Sequence, residues 1–333
     1  MAATTEAKTR SLKTWQGINQ ALTEEMERDP SVVLVGEDVG CPGGPYGVTR
    51  GLLDRYGSKR VRDTPISEQV LVGLGVGAGA VGLRPVVEIM FFDFAMIAMD
   101  QIVNQAAKFR YFSGQSMPLT IRTMCGAGGP NGAQHSQNFE AWFCAVPGLK
   151  VIMPSNARDA KGLLKAAIRD DDPVLFIETL GLLPTRREVP VDEDFVLPIG
   201  VAETRREGTD VTVVAVGRLV DRALEAAEAL AAEGVSVEVI DPRTLSPLDT
   251  ETIVESVRRT GRLVVAQEAT APCSIGAELV ALAAERCLPQ LKAAPIRVAS
   301  PFINVPTPVP LAEARAPKAT DVAAAVRTVM EPA

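Results

Sequence analysis

At 333 residues the chain is longer than a typical single domain, and with 47% hydrophobic but only 5% aromatic residues it should form two domains with aliphatic cores. Its formal net charge of -7 argues against nucleic acid as a partner, because phosphates require a basic surface. The apolar uncharged stretch at residues 69–83 is too short and too rich in glycine to span a bilayer, so no membrane association is expected.

The first half of the chain predicts a domain of mixed helices and strands. Apolar β-branched runs alternate there with amphipathic stretches, and a glycine-rich loop covers residues 40–47. The predicted strands are 32–36, 86–91, 119–123, 151–153 and 174–178, and the predicted helices are 12–28, 100–110 and 159–169.

The second half predicts a regular alternation of strands and helices, which is typical of a parallel sheet covered by helices. Residues 183–200 contain three prolines and mixed charges, as linkers do, and place the domain boundary near residue 195. The sequence therefore predicts an α/β protein with domains at 1–195 and 196–333. The predicted strands of the second domain are 211–216, 235–240, 263–267 and 296–299, and its helices are 221–233, 247–260, 274–287 and 320–329.

Glu68 is a candidate proton-transfer group. It ends the segment 63–68 (Asp-Thr-Pro-Ile-Ser-Glu) and is followed by residues 69–83, which contain no ionisable side chain. At the mouth of such an apolar wall, desolvation favours the protonated form of a carboxyl group. The alternative is that Glu68 only stabilises the first turn of the following helix, where acidic residues are favoured.

The glycines of residues 77–82 match the pattern G-x-G-x-x-G of dinucleotide-binding proteins. That fingerprint needs a preceding strand and an acidic residue about 20 positions later, and this context is missing. The spacing of Gly73 and Gly77 instead suits close packing of a buried helix. We therefore do not expect a dinucleotide site.

His135 is the one histidine of the chain, and it lies in a glycine-rich loop between two predicted strands. Its unperturbed pKa near neutrality suits acid–base chemistry, although a lone loop histidine is more often merely solvated. Upstream, Phe91, Phe92 and Phe94 lie at the end of a predicted strand. Most of them should be core residues, but such a cluster can also stack on a planar heterocycle.

The cysteines and the N-terminus bear on the cellular compartment. The five cysteines form no C-x-x-C pair and are odd in number, which favours reduced thiols. Residues 1–10 carry charges of both signs and no apolar segment typical of a secretory signal. A cytoplasmic location is therefore expected.

Taken together, several ordered segments resemble the β subunit of the thiamine-diphosphate-dependent E1 component of 2-oxo acid dehydrogenase complexes, over nearly the whole chain. Residues 90–94, 104–111 and 121–124 are more similar to the acetoin dehydrogenase branch than to the pyruvate branch. The segments that carry the resemblance are 36–40 (Gly-Glu-Asp-Val-Gly), 63–68, 100–104 (Asp-Gln-Ile-Val-Asn), 135–137 (His-Ser-Gln), 147–150 (Pro-Gly-Leu-Lys) and 159–164 (Asp-Ala-Lys-Gly-Leu-Leu).

The resemblance implies a transketolase-like architecture, with an N-terminal pyrimidine-binding domain and a C-terminal transketolase domain, assembled with α subunits as α2β2. By position, Glu68 would bind N1′ of the thiamine diphosphate aminopyrimidine and Phe94 would stack on that ring. Ile66 and Met90 would line its apolar surroundings. His135 matches the family's active-site histidine, a candidate proton donor when the acyl group passes to a lipoyl group on the E2 acyltransferase.

Metal binding is expected to be divided between subunits. The family motif for the diphosphate and Mg2+, G-D-G followed by N-N, is absent from the sequence, so the α subunit should supply Mg2+. A structural potassium site known in some members would fall on Leu119, Ala167, Ile168, Asp170 and Asp172. The sequence departs from many relatives at Ala145, where they carry a second histidine, and at residues 182–184.

Two alternative functions remain open at this point. The chain could belong to a transketolase-like carboligase that works in biosynthesis without E2, and lipoyl reduction would distinguish that enzyme from an E1. It could also be a docking subunit without catalytic activity, although the presence of Glu68 and His135 argues against that. The sequence does not identify which 2-oxo acid is the substrate, or whether it is acetoin.

Overall fold

The computed structural model describes residues 8–40, 43–126 and 131–331. They form two compact units. The described parts of residues 1–124, 146–150 and 156–199 make up the first unit, and those of residues 125–145, 151–155 and 200–333 make up the second. Each unit is described separately below.

The strands are β1 (Thr9–Lys13), β2 (Val32–Gly36), β3 (Val61–Asp63), β4 (Arg84–Phe91), β5 (Thr120–Cys125), β6 (Lys150–Ile152), β7 (Val174–Thr179), β8 (Arg186–Pro190), β9 (Glu203–Arg206), β10 (Val211–Ala215), β11 (Val237–Asp241), β12 (Thr244–Ser246), β13 (Leu263–Thr270) and β14 (Ile296–Ser300). The α-helices are α1 (Thr14–Arg28), α2 (Leu52–Tyr56), α3 (Glu68–Ala80), α4 (Ala107–Ser113), α5 (Glu140–Cys144), α6 (Ala157–Arg169), α7 (Leu219–Ala231), α8 (Thr250–Thr260), α9 (Ile275–Cys287), α10 (Val309–Arg315) and α11 (Ala319–Met330). A 3-10 turn covers Phe92–Met96, and a π-helical segment at Gln101–Ala106 leads into α4.

The sheet of the first unit has the strand order β3-β2-β4-β5-β7. Strands β3, β2, β4 and β5 are parallel, with Gly36 of β2 opposite both Asp63 of β3 and Glu88 of β4. Five of the eight residues of β4 are buried, because helices cover this parallel sheet. An antiparallel pair of β1 and β8 lies in the same unit and was not anticipated from the sequence.

Helix α3 packs on the sheet through glycines other than the expected pair. A Cβ atom at Gly75 would lie 2.7 Å from Val87 and 2.8 Å from Leu119, so only glycine fits there. By contrast, Gly77 is exposed, and a Cβ atom at that position would meet nothing within 4 Å. The expectation that Gly73 and Gly77 mark the buried face is therefore wrong, and the face carrying Gly77 is exposed in the single chain.

The second unit contains a five-stranded sheet in the order β14-β13-β10-β11-β9. Strands β14, β13, β10 and β11 run parallel, as the alternation in the sequence predicts, and β9 adds an antiparallel edge strand. Helices α7 and α11 bury an aliphatic core against this sheet, with Val213, Leu219 and Val326 fully buried. A short antiparallel pairing also joins β12 to β6 in this unit.

Two further features bear on the sequence expectations. No helix in the described ranges is long and apolar enough to cross a membrane. The four cysteines in the described part of the chain are free thiols, whereas Cys41 lies outside the described residues.

Candidate functional site

The candidate site of the first unit lies at the carboxyl ends of the parallel strands. The chain passes from β2 to β3 on one side of β2 and then to β4 on its other side. Parallel sheets bind ligands at such a change of direction, in the crevice beyond the carboxyl ends of the two strands. Glu37 follows β2 there, and Met90 and Phe94 come at the end of β4 and just after it.

Glu68 enters this edge of the sheet as the first residue of α3. The segment before it is tied to β2, because the Thr64 backbone N–H donates to the Gly36 carbonyl at 3.0 Å. Upstream, the Asp63 carboxylate accepts a hydrogen bond from the Gly40 backbone N–H at 2.7 Å. Glu68 is only 5% exposed, so the structure places it as the sequence predicts, a carboxyl group withdrawn from water at the start of an apolar helix.

Glu37 is a second buried carboxyl group close to Glu68, and the sequence analysis did not single it out. Burial raises the pKa of Glu37, and the charge of Glu68 raises it further, while a hydrogen bond from the Ser67 backbone N–H acts in the opposite direction. The Glu37 Oε1 atom is buried and has no hydrogen-bond partner among the described residues. Two neighbouring buried acids favour a state in which one of them keeps its proton.

The three apolar residues predicted to surround a cofactor ring differ in exposure. Met90 and Phe94 are half-buried, and the Phe94 ring meets Phe91 edge to face with a centroid distance of 6.3 Å. Ile66 is 80% exposed in the single chain. The first unit therefore presents apolar side chains beside the Glu37–Glu68 pair, and a large part of that apolar surface is uncovered.

A buried ion cluster lies behind this edge of the sheet and was missed by the sequence analysis. Arg122 of β5 donates to Glu178 at 2.8 and 2.6 Å and to Glu88 at 2.7 Å. All three side chains are at most 5% exposed. Burial raises the pKa of Glu178 to about 7, although the positive charge of Arg122 acts to lower it. Through the β2–β4 pairing, Glu88 also contributes to the raised pKa of Glu37.

His135 belongs to the second unit, and its position is described within that unit. It is half-buried in the stretch between β5 and α5, and its backbone N–H donates to the Gly132 carbonyl at 3.4 Å. Gly132 has a positive φ of 70°, and a Cβ atom there would lie 2.6 Å from the Thr307 hydroxyl. In the described part of this loop, glycine is therefore required at position 132, three residues before His135.

The residues expected to bind potassium lie at the end of α6, in the loop after it and directly before β5. The Leu119 carbonyl accepts from the Val174 N–H at 2.9 Å, and the Ala167 carbonyl accepts from the Asp170 N–H at 3.3 Å. Arg84 donates to the carbonyls of Ile168 at 3.2 Å and Asp170 at 2.9 Å.

Cationic side chains therefore already interact with this group of oxygens. The Lys150 ammonium bonds the Asp170 carboxylate at 2.7 Å, and Asp170 in turn accepts from the Asp172 backbone N–H at 2.8 Å. Each of these carbonyl oxygens retains a second lone pair. A cation would therefore have to share the Ile168 and Asp170 carbonyls with Arg84. No group of three or more His, Cys, Asp and Glu side chains in the described ranges is arranged to bind a metal ion.

Comparison with known proteins identifies the family. Residues 10–186 match the transketolase pyrimidine-binding domain, and residues 200–322 match the transketolase C-terminal domain. This chain belongs to the transketolase-like family. Its curated relatives are β subunits of E1 components and related dehydrogenases, a thiamine-diphosphate-dependent group. The match covers both units, so the family predicted from the sequence is confirmed.

Three relatives show the range of the family. The chain is 46% identical to the β subunit of acetoin:2,6-dichlorophenolindophenol oxidoreductase of Cupriavidus necator, over 97% of this chain and 98% of that protein. It is 48% identical to a mitochondrial pyruvate dehydrogenase E1 component subunit beta-2 of Oryza sativa subsp. japonica, over 94% and 84%. It is 47% identical to the 2-oxoisovalerate dehydrogenase subunit beta of Bacillus subtilis, over 86% and 88%.

A solved structure supports the predicted fold class. A split-gene transketolase, described as an inactive β4 tetramer, superposes with a TM-score of 0.79 at 26% identity, over 96% of this chain and 98% of that one. The expected two-domain α/β fold with largely parallel sheets is thereby confirmed. The identities to acetoin, pyruvate and 2-oxoisovalerate dehydrogenase subunits are too similar to select one substrate.

Proposed function

We propose that the chain is the β subunit of an E1 enzyme that cleaves a 2-oxo acid or acetoin with thiamine diphosphate and transfers the acyl fragment to a lipoyl group on E2. The observation that carries the proposal is the buried pair of Glu37 and Glu68 at the carboxyl edge of the first-unit sheet. Such a pair retains a proton in a poorly solvated place, as proton transfer to a ring nitrogen requires.

The residues at this edge suit an aminopyrimidine ring. Glu68 would bind the ring at N1′, and Glu37, whose pKa is raised by burial and by the charge of Glu68, would keep a proton beside it. Phe94 would stack on the ring, and Met90 and Ile66 would exclude water from its faces. When bound, the cofactor supplies a thiazolium ring that acts as an electron sink for the substrate carbonyl carbon.

Exposed apolar side chains on α3 support an α subunit as partner. Val70 is 65% exposed and Leu74 is 41% exposed on α3, and Val81, directly after the helix, is 79% exposed. A continuous apolar face of this kind on a folded protein indicates a surface that another chain covers. In an α2β2 assembly this contact would complete the apolar surroundings of Ile66.

The α subunit is also the proposed source of Mg2+ and of the groups that bind the diphosphate. The motif for that half of the cofactor is missing from the sequence, and the described residues contain no cluster of metal-ligating side chains. The superposed β4 tetramer of split-gene transketolase is described as inactive. Both observations favour an active enzyme that forms only when α and β chains meet.

His135 is proposed to act in the transfer of the acyl group to the lipoyl dithiolane. It is the one imidazole of the chain, and its backbone N–H bonds the Gly132 carbonyl within the second unit. An imidazole can donate a proton to the leaving sulfur near neutral pH. A cytoplasmic location is part of the proposal, because the sequence has an odd number of cysteines and no C-x-x-C pair.

A structural potassium ion on Leu119, Ala167, Ile168, Asp170 and Asp172 is a separate part of the proposal. It would use the carbonyl lone pairs that Arg84 leaves available. Thermal unfolding of the full chain in potassium chloride and in sodium chloride of equal concentration tests it. We expect a higher unfolding temperature in potassium chloride than in sodium chloride. Equal unfolding temperatures would contradict a potassium site.

Hydrogen–deuterium exchange at C2 of thiamine diphosphate tests the assignment of Glu68. The assembled α and β chains should exchange this hydrogen rapidly, and Glu68→Gln should slow the exchange by about 10² to 10⁴. Asp54→Asn, at an exposed position of the same unit, is the matched control and should exchange at the normal rate. Near-normal exchange in an assembled Glu68→Gln enzyme would leave Glu68 as a residue that only stabilises α3.

A further inference from the structure

A cavity of about 340 Å3 lies within the second unit, next to the segment that carries His135. Its walls come from the residues just before α5, the end of β13 and the segment between β14 and α10. We call it the Arg315 cavity. Its polar lining residues are Gln137, Asn138, Thr270, Asn304 and Arg315.

Arg315 brings a positive charge to this cavity that no acidic side chain neutralises directly. Its Nε donates to the Ile303 carbonyl at 3.3 Å, and no carboxylate of the described residues lies within ion-pair distance of its guanidinium. The nearby acid, Glu268, is bound by Arg218 through two contacts of 2.7 and 2.8 Å. The terminal nitrogens of Arg315 are therefore available to an anion.

The electrostatic surroundings of Arg315 make an added anion favourable. Burial lowers the pKa of Arg315 and the charge of Arg218 lowers it further, while the charge of Glu268 opposes both. An arginine nevertheless stays charged at neutral pH, so this cation is held in an environment that disfavours it. A bound anion would relieve that cost.

Three unsatisfied polar atoms belong to residues that neighbour lining residues of the cavity, in sequence or across the strand pairing. Ser136 Oγ, Glu140 Oε2 and Ser300 Oγ are all buried and have no hydrogen-bond partner among the described residues. Ser136 precedes the lining residue Gln137, and Ser300 pairs in register with the lining residue Thr270. Buried polar atoms without partners in native proteins indicate an interaction with a bound molecule or ordered water.

The remaining walls are apolar and limit the kind of anion. Phe139, Phe302, Ile303 and Val305 line the cavity beside the polar groups, and Phe302 is 80% exposed at its edge. An inorganic anion would leave these surfaces in water, whereas a hydrocarbon group would cover them. The volume lies at the lower end of the range for small-molecule sites.

We propose that the Arg315 cavity binds a small aliphatic carboxylate, with the carboxylate on the Arg315 guanidinium and the hydrocarbon against Phe139 and Phe302. Every lining group lies in the second unit of this chain, so binding can be measured without the α subunit or thiamine diphosphate.

Calorimetric titration of the full chain, without α subunit or thiamine diphosphate, tests the proposal with isovalerate as the probe. Isovalerate should bind saturably in the millimolar range, and Arg315→Gln should weaken it about tenfold or more. Arg286→Gln, which removes a surface arginine paired with Glu251, is the matched control and should bind like the wild type. Unchanged affinity in a folded Arg315→Gln variant, or no saturable binding by the wild type, would overturn the site.

Further titrations test the ligand class and the apolar wall. Neutral isovaleramide and inorganic phosphate should each bind at least tenfold more weakly than isovalerate, and equal binding of either would contradict a carboxylate site. Phe302→Ala changes an exposed residue and should fold normally. It should weaken isovalerate several-fold while leaving acetate binding unchanged, and an equal effect on both would contradict the proposed orientation.

Discussion

The charge of Glu68 raises the pKa of Glu37, second in effect only to the burial of the Glu37 carboxyl group itself. The two residues come from different connections of the first-unit sheet, Glu37 from the end of β2 and Glu68 from the start of α3. Their proximity follows from the parallel alignment of β2 and β3, whose carboxyl ends meet at one edge. These two neighbouring buried carboxyl groups are the basis of the enzymatic proposal.

Replacing Glu37 should change the pH dependence of the assembled enzyme. Glu37→Gln removes a carboxyl group whose pKa is raised by burial and by the charge of Glu68. An alkaline limb of the kcat profile that reports loss of the Glu37 proton should therefore flatten, whereas Asp54→Asn should leave it in place. Both profiles are measured on α/β assemblies between pH 6 and 9. An alkaline limb at the same pH in both variants would show that Glu37 takes no part in the reaction.

Replacing His135 should impair acyl transfer to the lipoyl group more than cofactor binding. His135→Ala removes the imidazole and retains both Glu37 and Glu68. General acid catalysis contributes about 10² to 10⁴ in rate, so a loss on that scale is expected in lipoyl acylation. Calorimetric affinity for thiamine diphosphate serves as the control. Acylation within a few-fold of wild type would make His135 a solvated loop residue.

Thiamine diphosphate should bind tightly only after the α subunit is added. The isolated chain lacks the diphosphate motif, and Ile66 on its apolar surface is 80% exposed. Titrations of the chain alone, and of the chain with its cognate α subunit and Mg2+, should differ by at least tenfold in affinity. Tight binding by the purified chain alone would show that it carries a complete cofactor site.

Glu140 should make the second unit less stable as the pH rises. Burial raises the pKa of Glu140 to about 7 from 4.5, and the charge of Glu268 adds to that effect. Because the folded-state pKa is the higher one, the stabilising contribution is fully present below pH 4.5 and is lost as the pH rises through about 7. Its full size is about 3 kcal/mol, since one pKa unit corresponds to about 1.4 kcal/mol.

Urea unfolding as a function of pH checks this contribution. Between pH 5 and 7 the free energy of unfolding should fall less steeply in Glu140→Gln than in the wild type. Glu228→Gln, at an exposed position of α7, should retain the wild-type slope. Equal slopes in all three proteins would mean that Glu140 does not bind a proton in this range.

The parts of the fold that were predicted from the sequence are those with strong local signals. The buried run of β2 is bounded by polar residues on both sides and has the predicted limits, Val32–Gly36. By contrast, β9 (Glu203–Arg206) consists almost entirely of charged residues and pairs as an edge strand, so no hydrophobic pattern revealed it. Its pairing depends on β11, which lies far along the chain.

The site was predicted in part. The burial of Glu68 follows from the uncharged run after it, but Glu37 has no local feature that distinguishes it from a surface acid. Arg122 lies in a predicted strand, yet its full burial depends on Glu88 and Glu178 from two other strands. The exposed face of α3 was assigned wrongly, because helical spacing of glycines does not show which face packs on the sheet.

Acylation of a lipoyl domain by the reconstituted α/β enzyme tests the central claim most directly. The chain is combined with its cognate α subunit, thiamine diphosphate and Mg2+, and supplied in turn with pyruvate, 2-oxoisovalerate and acetoin. At least one substrate should increase the mass of the lipoyl domain by one acyl group, and Glu68→Gln should slow this by about 10² to 10⁴. Consumption of substrate without acylated lipoyl domain in every case would contradict an E1 function and favour a carboligase.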